Sequence, residues 1–97
     1  MKLVFTRRAL RDVERHTRWW KEHRDAKTLF EEELAHALRQ IRSDPKGAPV
    51  YRLVRGQEQR RILMSRTARH VYYRLEGADS VLILAVRGAR RRRAPQT

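Results

Sequence analysis

The side chains of this chain that can do chemistry are its arginines and the few aromatic and imidazole groups set among them. Residues 51–97 carry twelve arginines, at positions 52, 55, 60, 61, 66, 69, 74, 87 and 90–93, with Tyr51, His70, Tyr72 and Tyr73 between them. Arginine presents a planar fork of donors that takes an anionic oxygen through two bonds. Histidine moves a proton near neutral pH, and a tyrosine hydroxyl can supply one. Such types suit the holding of an oxyanion and, where an acid and a base converge, the cleavage of a phosphodiester. Other chemistries drop out. With no cysteine, the chain has no thiolate nucleophile, zinc-thiolate site or disulfide. His16, His23 and His36 do not pair at i, i+4, and no glycine-rich phosphate loop occurs, so no metal and no cofactor is assigned.

Each of these residues also has a purely structural reading. His70 is either a strand residue held by packing or a binding and catalytic group. Aromatics favour strands for their packing, so Tyr72 and Tyr73 read first as core or rim. The run Arg90 to Arg93 is either a solvated tail or a strip that binds phosphates. Trp19 and Trp20 are adjacent on one helix and point about 100° apart. Trp20 therefore continues the apolar stripe, and Trp19 is a rim residue or an anchor for a partner.

The charge pattern narrows the partners. The formal net charge is +13, and residues 51–97 hold those twelve arginines against Glu58, Glu76 and Asp79, an excess of nine. Residues 1–50 hold twelve basic residues against eight acidic ones, an excess of four. A surplus of this size repels itself and attracts polyanions, so nucleic acid, ribosome or an acidic protein is the expected partner. A chain of 97 residues, 40% hydrophobic, makes one domain with one modest core. No apolar run approaches a membrane span or a signal h-region, and cytoplasmic residence, with no membrane partner, is the expectation.

The elements that must position these side chains can be read from period and breakers. Lys2 to Phe5 is a short apolar run ending at Thr6, a good N-cap, after which Ala9, Leu10, Val13, Thr17 and Trp20 recur at helical spacing. His23-Arg24-Asp25 breaks that pattern. Asp25 or Thr28 can cap a second helix, with Thr28 and Glu31 spaced as a capping box, and its stripe runs Ala26, Phe30, Leu34, Ala37, Leu38, Ile41. The cluster Ser43-Asp44-Pro45-Lys46-Gly47 stops it. Strands follow at Val50 to Val54, Arg61 to Ser65, Arg69 to Leu75 and Val81 to Arg87, separated by Gly56-Gln57-Glu58, Arg66-Thr67 and Gly77-Ala78-Asp79. The uninterrupted VLILAV of residues 81–86 reads as a central strand with both faces covered. The sum is an α+β domain, an N-terminal helical hairpin packed on a twisted, mostly antiparallel β-sheet. Residues 94–97 read as a disordered tail.

The order of these parts resembles the RelE/ParE superfamily of bacterial toxins over residues 2–93, taken as a single domain. The residues that carry the likeness are Ala9 and Leu10 in the first helix, the Pro45-Lys46-Gly47 turn closing the second, Arg60 and Arg61 opening a strand, the pair Tyr72-Tyr73, and the Val86 to Arg90 corner. The resemblance implies the toxin of a type II toxin-antitoxin pair. It also implies a cognate antitoxin that wraps around the toxin, in a hetero-oligomer.

Two activities divide that superfamily. RelE-like members cleave mRNA on the ribosome with basic residues and a Tyr or His-Tyr pair after the last strand; ParE-like members, associated with plasmid stabilisation, poison DNA gyrase. Nothing after Val86 in this chain is an acid or base at neutral pH, which ranks the ParE-like activity first. As an endoribonuclease the chain would use Arg60, Arg61, Arg87 and Arg90, which the resemblance gathers on one concave face, together with His70, or else Tyr72 or Tyr51, borrowed for proton transfer. In either case Arg60, Arg61, Arg87, Arg90, Arg91 and Arg92 are the target- or anion-binding set. A third possibility, a non-catalytic nucleic-acid-binding module on the same fold, lacks the aromatic and glycine motifs of such modules.

Overall fold

Thr6 closes strand β1 (Lys2–Phe5) and opens helix α1 (Arg7–His23). In this computed structural model, which describes residues 1–89, its extended backbone and its Oγ1, accepting from Ala9 N–H at 3.0 Å, make it the expected N-cap. Arg90, Arg91, Arg92 and Arg93, and the tail 94–97, lie outside the described residues. The second helix, α2 (Leu29–Ser43), buries Phe30, Leu34, Ala37 and Ile41, a stripe at helical spacing. It starts three residues later than Ala26. The Ala26 carbonyl lies in the interhelical loop and accepts from the Trp20 indole at 2.7 Å, satisfying the one polar atom of a buried ring. The capping box at Thr28 does not form: its hydroxyl donates to Glu32, and no side chain caps the helix.

Strands β2 (Val50–Val54), β3 (Gln57–Met64), β4 (Arg69–Glu76) and β5 (Ser80–Gly88) complete a sheet of order β1-β5-β4-β3-β2. Only β1 and β5 run parallel; the other pairs are antiparallel. The hairpin packs on one face, α1 against β5 and α2 against β3. Val71, Tyr73, Val81, Ile83 and Val86 meet Ala9, Trp20, Phe30, Leu34 and Ile41 in one core. Each such side chain contributes about 1.5–3 kcal/mol when removed from water. Among the described residues no helix is long and apolar enough to cross a membrane.

Three further expectations change. Leu10 is 57% exposed; the inward stripe of α1 runs Ala9, Asp12, Val13, His16, Trp20. Strand β3 begins at Gln57, four residues before Arg61, because the hairpin turn is the pair Arg55-Gly56, both with positive φ (52° and 80°). That is the backbone a two-residue hairpin requires. The VLILAV run lies in an interior strand, with helices over one face and, among the described residues, no element over the other. The strand carries a bulge that the unbroken run conceals: Tyr72 pairs with Ala85 and Tyr73 with Ile83, leaving Leu84 extra. The inward set therefore switches from Val81 and Ile83 to Val86.

Candidate functional site

Side chains of β4 alternate between the two sides of the sheet. Val71 and Tyr73 enter the core, and His70, Tyr72 and Arg74 stand on the face away from the helices. Tyr72 is nevertheless only 8% exposed, because other side chains of that face crowd around it. The Tyr51 ring meets it edge-on at 5.3 Å, and the His70 ring lies 5.8 Å away. The Arg87 guanidinium sits 5.1 Å over its ring, and Arg61 reaches its hydroxyl at 3.5 Å while lying 4.2 Å from the Tyr51 ring centre. Register explains the grouping: Arg61 is directly opposite Tyr72, and His70 directly opposite Arg87. Tyr51 joins them from a register shift in β2.

The cluster is cationic. Among the described residues neither Arg61 nor Arg87 lies in an ion pair, whereas Arg74, on the same face, is tied to Glu76 at 2.9 Å and to Gln57 at 2.5 Å. Burial, helped by the Arg61 charge, holds the His70 imidazole below its ordinary pKa of 6.5, so the ring is neutral at pH 7. Its Nδ1 is buried and makes no hydrogen bond among the described residues. A cavity of about 630 Å³ adjoins the cluster, between the last turn of α2 and the part of β3 beyond β2, with Gln40, Asp44, Pro49, Arg61 and His70 on its walls. The arrangement can hold an oxyanion between Arg61 and Arg87 and present an unpartnered imidazole and a tyrosine hydroxyl beside it.

Arg60 is not in this group. Its neighbour in register is Tyr73, on the helical side, and its guanidinium donates to the carbonyls of Ala48 (2.6 Å) and Lys46 (3.2 Å) and pairs with Glu58 at 3.0 Å. It holds the chain between α2 and β2. Tyr73 does likewise through its hydroxyl, which donates to the Pro45 carbonyl at 2.7 Å. Gly47 packs so tightly on Asp44 that a Cβ there would overlap the carboxylate. Trp19 is half-buried at the rim of the core, stacked on His23. Arg90, Arg91 and Arg92 fall outside the described residues.

Sequence reasoning missed three polar residues that shape this part of the fold. Asp12 is 1% exposed, accepting from Val86 N–H at 2.9 Å and from Arg8 and Arg15 at 3.3 and 3.2 Å. His16 bonds the Val86 carbonyl through Nε2 at 3.0 Å and accepts from Arg69 Nε at Nδ1 at 3.1 Å. Glu33, on α2, accepts from Arg66 N–H, Thr67 N–H and the Thr67 hydroxyl at 2.7–2.9 Å, pinning the β3–β4 turn. Asp12 and His16 are four apart and lie within the spacing of the apolar stripe, which is the signal that marks them.

Two solved structures share this architecture. One, from the chromosomal ParDE toxin-antitoxin system of P. aeruginosa, superposes with a TM-score of 0.67 at 18% identity, covering 93% of this chain and 97% of that one. The fold is the RelE/ParE fold. The isolated RelE toxin of E. coli superposes with a TM-score of 0.60 at 19% identity, covering 94% of this chain and 86% of that one. No protein-family model and no curated protein matches the sequence. Within the RelE/ParE frame, the cluster around Tyr72 occupies the sheet face that the helical hairpin leaves uncovered.

Proposed function

We propose that this chain is the toxin of a type II toxin-antitoxin pair, neutralised by a cognate antitoxin and acting, in the ParE manner, by poisoning DNA gyrase. The observation that carries the reading is the superposition on 97% of a chain of the ParDE system; residues 89–97, which follow β5, contain no tyrosine or histidine. On this reading the open face is a contact surface, its unpaired Arg61 and Arg87 engaging the acidic target or the DNA bound to it.

A second reading, ribosome-dependent mRNA cleavage, is favoured by one observation: Arg61, Arg87, His70 and Tyr72 converge. In that reaction His70 takes the 2′-hydroxyl proton, the arginines carry the phosphorane charge, and the 5′-oxygen leaves with a proton from Tyr72. The purified, antitoxin-free protein discriminates between the two. Trapped cleaved DNA or lost supercoiling with gyrase supports the first; codon-positioned mRNA cuts on translating ribosomes with gyrase unaffected overturn it in favour of the second. Loss of those cuts in His70→Gln would place the histidine in the reaction.

A further inference from the structure

On the helical side of the sheet, two arginines converge on the only two tryptophans in the chain. The Arg24 guanidinium lies 4.9 Å from the Trp19 ring centre and 5.5 Å from that of Trp20; for Arg69 the distances are 5.4 and 5.2 Å. Arg69 is held in place, its Nε donating to His16 and its Nη1 to the Thr67 carbonyl. Arg24 is exposed at the C-terminus of α1. Trp19 stacks on the exposed His23 ring at 4.6 Å with the planes 11° apart.

No carboxylate among the described residues forms an ion pair with either arginine. Burial, and then the nearby Arg24 charge, lower the Arg69 pKa, a sign that the two cations feel each other. Ring faces attract a guanidinium but leave its charge in place. Two cations brought together over apolar rings gain most from an arriving oxyanion.

We propose that Arg24 and Arg69, with the rim of Trp19, form a recognition point for a carboxylate side chain on an acidic partner polypeptide that also carries apolar residues. The geometry suits a peptide better than a nucleic acid. The two guanidiniums share one pair of rings, where a phosphate backbone needs a row, and the neighbouring Glu22 and Asp25 are exposed acids that would interrupt such a row. Trp19 supplies an apolar ledge beside the charge, and arginine with tryptophan is the pairing found at the energetic centres of protein interfaces. The inference is independent of the open face and of the cellular target.

Because Trp19 and Trp20 are the only tryptophans, the intrinsic emission of the full chain reports this point directly. The probe is a synthetic amphipathic peptide of glutamate and leucine, compared with its glutamine-for-glutamate counterpart and with oligothymidylate. The Glu peptide is expected to shift the emission saturably, and Arg24→Gln, a change at an exposed side chain, to weaken that binding by about tenfold, the effect of losing one charged contact. Arg61→Gln, on the other face, is expected to leave it unchanged. An emission unmoved by the Glu peptide, equal binding by the Gln peptide or by Arg24→Gln, or an equal response to oligothymidylate would each overturn the proposal.

Discussion

Asp12 and His16 stand where a further stretch of strand would. Strand β1 pairs with β5 only as far as Ile83, and beyond it the backbone of β5 is met by side chains: Thr6 donates to the Leu84 carbonyl, Asp12 accepts from Val86 N–H, and His16 bonds the Val86 carbonyl. Asp12→Ala removes the carboxylate that accepts from the Val86 amide and strips Arg8 and Arg15 of their shared partner. The expected loss is about 2–3 kcal/mol, read as a lower urea midpoint, with Asp12→Asn losing less because it keeps an acceptor. His16 sets a pH dependence. Burial is the main cause that lowers its pKa, the Arg69 and Arg15 charges adding to it and the Val86 bond opposing it. The unfolded state then binds the proton first, so stability is full above about 6.5 and falls as pH drops through that value toward the depressed folded pKa. Urea titrations between roughly pH 8 and pH 5 are expected to show this loss, and His16→Gln to reduce it. A flat profile in the wild-type chain would sink this account. These roles were hard to read from sequence because a charged residue in a charged helix looks like a solvated one. Grouping Arg60 with Arg61 overlooked that adjacent strand residues face opposite ways, which is what separates them here.

At the level of elements, the helices, the interior strands and the hairpin-on-sheet layering follow from period and breakers, and the structure keeps them. What periodicity cannot register is the bulge at Leu84, because in a run that is apolar at every position a switch of the inward set leaves no mark. Ile83 is nonetheless fully buried in that interior strand. Ile83→Asp is expected to leave no cooperative unfolding transition, since an unpaired buried carboxylate costs several kcal/mol against a total of about 5–15. A soluble variant melting cooperatively would refute its place in the core. Glu33→Ala is a milder test of how helix and turn are joined. It strips acceptors from Arg66 and Thr67 and is expected to cost about 2 kcal/mol, with faster amide exchange confined to the β3–β4 turn.

For the molecule as a whole, charge and topology govern behaviour. A formal +13 on 97 residues accelerates encounter with an acidic chain, so the association rate with an acidic polypeptide is expected to fall steeply as salt rises, with dissociation changing less. Stopped-flow rates across an ionic-strength series measure it; an unchanged association rate would remove electrostatic steering from the account.

The parallel pairing of β1 with β5 also fixes when the protein can exist. Lys2 finds its register only with Ser80, and Phe5 only with Ile83. During synthesis, strand β1 and the Thr6 contact to Leu84 wait for nearly the whole described chain to be made. Closing so long a loop late places refolding toward the slower range for small domains. A nascent chain halted before residue 80 lacks β5, and with it the Arg87 side of the cationic face. The ribosome must therefore carry this chain past β5 before the protein can show that face to anything around it.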